Sequence, residues 1–188
     1  MSYRDYPVHL VGGRTCLDFL NTANWNADGT VGVERLASVE DLKTWIKAAG
    51  LHCRGAGSQQ ELEQSVLQFR ASLRRVVLSA VQSTSPRMID VALLNAAAQL
   101  PGNQAPLEIS QGGFAVASSS PLAYGLALSA ISMLTDSREI NRVKMCPGGG
   151  CGWMFLDESA NGRRQWCSME MCGNREKARR HYARTRSA

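Results

Sequence analysis

The chain lacks the features that would place it in a membrane or send it out of the cell. Among its 188 residues there is no apolar run of 18 or more, the length a helix needs to span a bilayer. The opening MSYRDYPVHL has neither the basic start nor the apolar stretch of a signal peptide. Internal repeats, low-complexity tracts and a glycine-rich phosphate loop are also missing. Asp18, His52 and Cys53 make no nucleophile–base pair or open metal motif. These absences lead to the expectation of a cytoplasmic protein that is not an enzyme. In that compartment thiols stay reduced, and clustered cysteines favour metal over disulfides.

Clustered cysteines are what the chain does have. Four of the six fall in the last quarter as Cys146-x4-Cys151, fifteen residues, then Cys167-x4-Cys172. Two local pairs separated by a short excursion suit a tetrahedral zinc ion. Four thiolates leave no open coordination position, so the expected Zn2+ is a single structural ion. A module of this size buries too little surface to fold alone, and zinc binding supplies the missing stability. Cys16 and Cys53 stand apart and read as buried free thiols.

Charge divides at the same place. Residues 1–137 hold ten Lys/Arg against eleven Asp/Glu, whereas residues 138–188 hold eleven against five. The −1 and +6 segments suggest an N-terminal domain over 1–140 and a basic module over 141–188. After Cys172 the sequence predicts a helix on which Arg175, Arg179, Tyr182 and Arg186 form one stripe. Lys177, Arg180, His181 and Arg184 form another, and Ala178, Ala183 and part of Tyr182 are expected to face the knuckle. With Asn174 at its start and Arg163 and Arg164 from a preceding turn, this is a candidate phosphate-binding surface. A solvated cationic helix end is the plainer alternative.

The N-terminal part reads as mainly helical. Helices are expected over Arg14–Asn24, from Ser38 to Ala49, and from the Ser58-x-x-Glu61 capping box through Ala80. Ser85-Pro86 opens another, ended by Pro101-Gly102, and Leu122 to Leu134 makes an apolar core helix. Residues 107–116 alternate about Gly112-Gly113 and predict a small β-hairpin. In the basic module, Trp153–Leu156 and Arg163–Trp166 are expected to pair about Asn161-Gly162, giving a treble-clef-like hairpin plus helix.

The run Gly162-Arg163-Arg164-Gln165-Trp166-Cys167-Ser168-Met169, then Cys172-Gly173-Asn174-Arg175 and Lys177-Ala178-Arg179-Arg180-His181-Tyr182, resembles the CGNR zinc finger across roughly 142–186. Gly12-Gly13, Leu17-Asp18-Phe19-Leu20-Asn21-Thr22, Asp41-Leu42-x-x-Trp45 and Arg70-x-x-Leu73-Arg74 resemble the ABATE domain that precedes this finger. The resemblance implies a bacterial stress-response transcription regulator. Cys146, Cys151, Cys167 and Cys172 would be the zinc ligands, the finger would bind double-stranded DNA, and the N-terminal domain would sense an unidentified signal. Pro147-Gly148-Gly149-Gly150 departs from the polar residues expected in the first knuckle. Asp18, Asn21 and Arg70 are either pocket residues for a small-molecule ligand or a polar network tethering helices. A homodimer could use the 122–134 or 62–80 helix. The competing reading is an RNA- or protein-binding zinc adaptor in which Trp153, Trp166 and Tyr182 stack on unpaired bases.

Overall fold

A computed structural model describes Tyr3 and residues 6–100, 107–110, 113–116 and 120–186. Helix α1 (Thr15–Leu20) lies at the centre and touches α4 (Leu67–Val81), α6 (Leu122–Thr135) and strand β6 (Met154–Leu156). Cys16, Leu17, Phe19 and Leu20 are all fully buried there. The expected extension of α1 to Asn24 does not occur. The Thr22 hydroxyl donates to Phe19 O at 2.7 Å and the Trp25 indole donates to Leu20 O at 2.9 Å. These side chains satisfy the last helical carbonyls and release the backbone into a strand. Strand β1 (Ala23–Trp25) then pairs antiparallel with β2 (Val31–Glu34), a hairpin that periodicity did not reveal.

Helix α2 (Val39–Ala48) starts where Ser38 accepts from the Asp41 amide at 3.2 Å and is followed by Gly50 in the left-handed region (φ +65°). The Ser58 hydroxyl likewise accepts from the Glu61 amide at 3.1 Å, while the Glu61 carboxylate reaches back to the Gly57 amide at 2.7 Å. That cap opens α3 (Gln59–Glu61), which passes through a π-helical turn (Leu62–Val66) into α4. The long apolar stripe of this segment carries two buried arginines as well, Arg70 and Arg74. Helix α5 (Met88–Ala97) begins two residues after Pro86, and the predicted Pro101-Gly102 stop lies outside the described residues. Strands β3 (Leu107–Ser110) and β4 (Gly113–Val116) form the expected hairpin. Helix α6 buries Leu122, Tyr124, Leu126, Ala127, Ala130 and Met133, so much of the surface considered for a dimer interface is used in the core.

After the short α7 (Ser137–Ile140), strand β5 (Val143–Met145) pairs with β6. The finger's hairpin therefore encloses the first cysteine pair. It does not lie between the two pairs, and the described Arg163–Trp166 segment is not a strand. Val143, Met154 and Leu156 join the same apolar core as α1, α4 and α6. No helix among the described residues is long and apolar enough to cross a membrane.

Candidate metal centre and nucleic-acid interface

The two cysteine pairs meet because two local structures present them. The β5–β6 turn supplies the first pair: the Cys146 amide donates to Trp153 O at 2.7 Å, and the Cys151 amide to Gly148 O at 3.0 Å. A Cβ on Gly148 would stand 3.1 Å from Cys172 Sγ, and Gly150 adopts φ +67°. The glycine-rich knuckle is thus shaped by close approach and a left-handed turn. Of the second pair, Cys167 precedes and Cys172 lies within a π-helical turn (Met169–Gly173), capped by the Ser168 hydroxyl accepting from the Met171 amide at 3.3 Å. Helix α8 (Asn174–Arg186) continues from it.

All four cysteines are buried and their sulfurs lie within 4.8 Å of one another. Cys151 and Cys167 sulfurs are 3.7 Å apart, and those of Cys167 and Cys172 are 3.5 Å apart. Zinc–sulfur bonds of about 2.3 Å place tetrahedral sulfurs about 3.8 Å apart, so the cage fits one zinc ion. Thiol hydrogen bonds from Cys151 and Cys167 pull Cys146 down, and the bond to Cys146 in turn pushes Cys151 up. Crowded thiols share one negative charge readily but resist four. A divalent cation removes that repulsion. These residues hold one structural Zn2+.

The centre is fastened to the helical domain by polar contacts. The Trp25 amide donates to Cys151 O at 3.1 Å and the Leu156 amide to Gly12 O at 2.8 Å. Arg74 donates to Gly152 O at 3.0 Å and stacks over Trp25, its guanidinium carbon 4.4 Å from the ring centroid. Gly152 has φ +62°, and a Cβ there would meet Trp25 O at 2.5 Å. On the finger's far side, fully buried Asp157 accepts from Lys144 at 2.6 Å and from the amides of Ser159 and Arg164, each at 3.0 Å. Lys144 and these other donors hold its carboxyl well below the usual range.

The residues expected to touch nucleic acid separate into two groups. Asn174, Arg175, Lys177, Arg179, Arg180, His181, Arg184 and Arg186 are exposed on α8, and Arg163 is exposed in the segment before Cys167. No residue of α8 is buried, and Tyr182 is 68 % exposed, so the expected packing of Ala178, Ala183 and Tyr182 on the knuckle does not occur. Glu176 pairs with Arg179 at 2.8 Å and Arg180 at 2.9 Å, which draw its carboxyl down to about 2. Arg164 differs from the rest. Its guanidinium donates to Val11 O at 2.8 Å, Trp166 O at 3.1 Å and Cys167 O, and lies over the Phe155 ring. It is a strut between finger and domain, because backbone carbonyls already occupy its donors.

Asp18, Asn21 and Arg70 face three different partners. Asp18 accepts from the Gly12 amide at 2.7 Å, and burial raises its carboxyl to about 6. Asn21 makes a reciprocal pair with Met154, accepting from its amide at 2.9 Å and donating to its carbonyl at 2.8 Å. Arg70 ion-pairs with Glu34 and donates to the Thr22 hydroxyl at 2.8 Å. These contacts tie α1, α4, the β1–β2 hairpin and β6 together. Sequence reading missed Arg74 as a contact to the knuckle. Its signal was a second arginine four residues after Arg70 on an apolar helix face, where an uncompensated charge would be costly.

A closed four-thiolate finger, made of a hairpin knuckle and a helix start and set into a helical domain, defines the class of this protein. The chain belongs to the ABATE family, described as "Putative stress-induced transcription regulator", whose profile matches residues 13–137. Residues 142–185 match the CGNR zinc finger. No curated protein matches the chain.

Proposed function

We propose that this protein is a cytoplasmic, non-catalytic transcription regulator whose zinc-held helix α8 binds double-stranded DNA while the N-terminal domain senses a signal. The observation that carries the reading is a thirteen-residue helix with no buried residue, on which Arg175, Lys177, Arg179, Arg180, Arg184 and Arg186 are all exposed. A cation-rich surface of this kind gains affinity by releasing counterions from phosphates. Zinc, when bound, closes the cage from which α8 projects. The chain's own residues then do the aiming: Ser168 caps the turn, Arg164 and Arg74 clamp the finger, and α8 stands clear.

A groove of about 980 Å3 beside α8 is lined by Lys144, Gln165, Arg175, Arg179 and Arg180, among others, which supports an extended anionic partner. The competing RNA adaptor is less favoured because Trp153 is 4 % exposed and cannot stack on a base. One finger covers only about 600–1,000 Å2 on DNA, so specific recognition calls for a homodimer. The test is retardation of duplex DNA over a salt series. Replacing Arg179 and Arg180 by alanine should flatten the slope of log affinity against log salt by about 1.8 if each contacts one phosphate. Binding unchanged by that pair, or by zinc removal, would sink the reading, and tighter binding to single-stranded RNA would favour the adaptor.

A further inference from the structure

Between the β1–β2 hairpin and the zinc knuckle lies a cavity of about 300 Å3, bordered by Tyr6, Arg35, Gly150, Trp153 and Arg175 among others. That volume is at the lower end of ligand pockets, which run from about 300 to 1,000 Å3. Arg35 is only 5 % exposed. Its guanidinium carbon sits 4.3 Å from the Tyr6 ring centroid and 5.6 Å from that of Trp153. One nitrogen, Nη2, donates to Asn24 Oδ1 at 2.6 Å. The other two, Nε and Nη1, are buried with no partner among the described residues, and so is the indole Nε1 of Trp153. All three are N–H groups, for which an acceptor would supply the missing hydrogen bonds.

We propose that this cavity is a binding site for a small organic monocarboxylate. A buried guanidinium with idle donors calls for an anionic acceptor. Tyr6, half-buried at the border, offers apolar contact to the rest of such a ligand. Cys151, Cys167 and Cys172 also border the cavity. With zinc bound the four thiolates carry a formal −2, which repels a dianion such as phosphate about twice as strongly as a monoanion. Arg175 completes the connection, because it lines this cavity and the α8 groove alike and donates to Cys172 Sγ at 3.3 Å. A carboxylate here would lie at the foot of the DNA-facing helix. The inference deepens the sensing half of the proposed function and rests on it for its consequence.

The experiment is calorimetric titration of the full-length, zinc-loaded chain, without DNA, using probes of one shape and different charge: benzoate, benzamide and benzamidine, with inorganic phosphate beside them. Benzoate is expected to bind saturably at one site per chain, and each other probe at least about tenfold more weakly, the worth of a hydrogen bond between charged groups. Arg35→Met should abolish the preference for benzoate. Trp153→Phe, which keeps an aromatic face and loses only the N–H, should weaken benzoate several-fold. Zinc content of one per chain checks that each variant is folded; if Arg35→Met fails that check, Trp153→Phe and the charge series decide. Absence of benzoate binding, equal binding of benzamide, or binding unchanged in the folded variants would overturn the site. DNA retardation with and without benzoate is a separate arm. Benzoate binding without any DNA retardation keeps the site and sinks the DNA reading, and retardation without benzoate binding does the reverse.

Discussion

Asp18 and Asn21 lie three residues apart on α1 and do different work. Asp18 is a half-buried carboxylate whose folded value, about 6, exceeds its ordinary 3.8 because desolvation penalises the charge more than the Gly12 amide compensates it. The unfolded chain therefore loses this proton first. The contribution of Asp18 to stability is present below about pH 4 and lost as the pH rises to about 6. Asp18→Asn keeps an acceptor for Gly12 without the charge. Across that window, wild type should lose on the order of 2–3 kcal/mol relative to the variant. Denaturant titrations of both proteins across that window, at a fixed high zinc concentration, would expose parallel curves if the assignment is wrong. Asn21 satisfies both polar groups of Met154 in the core, so Asn21→Ala orphans a buried amide and a buried carbonyl. A loss of about 2–4 kcal/mol is expected by the same measurement, and a loss under 1 kcal/mol would count against this tether.

At the scale of elements, helix α8 is cationic but partly self-neutralised. Glu176 occupies Arg179 and Arg180. In water such exposed pairs are weak, so DNA can compete for both arginines at little cost. Glu176→Gln should free them, raise affinity for duplex DNA several-fold and steepen the salt slope by about 1. Unchanged affinity in a retardation assay would mean that this side of α8 does not face DNA. The β1–β2 hairpin is the element that sequence reading left out. Its strands are three and four residues long, too short for alternation to stand above chance, and their register shifts between Asn24 and Trp25. The finger hairpin was misplaced for a related reason. Aromatics around 153–156 signal a strand, but all three residues of β6 are buried, so no alternation marks its partner. Capping boxes and long stripes were legible because their signals are local: Ser38, Ser58 and the apolar face of α4 behave as their spacing predicts.

For the whole molecule, the two family regions meet in one core. Val143, Met154 and Leu156 of the finger pack with α1, α4 and α6, and Gly152 sits against Trp25 at a distance no side chain tolerates. Zinc removal should therefore unsettle more than the finger. Chelation is expected to lower the melting temperature of the entire chain in one transition, followed by helical circular dichroism. A helical melt unmoved by chelator would show that the regions fold independently. Gly152→Ala should have a related but milder effect, destabilising the docked state by several kcal/mol through overlap and a disfavoured φ. Limited proteolysis between α7 and β5 would report it, and wild-type resistance would contradict it.

The sequence by itself determined the metal and its ligands, because matched cysteine pairs need only local turns to become a tetrahedral cage. It also determined the helical character of the N-terminal region and the basic character of the C-terminal helix, since both are set by spacing and charge along the chain. Which arginines remain free was decided by tertiary structure. Arg163 and Arg164 are neighbours in sequence, yet one stands in solvent and the other is bound to carbonyls at the joint. Arg35, Arg70 and Arg74 come from the near-neutral region and converge around the β1–β2 hairpin and the finger docked on it. A guanidinium's role depends on which acceptors the fold brings within about 3 Å of it, and those acceptors here lie from two to 153 residues away in the chain.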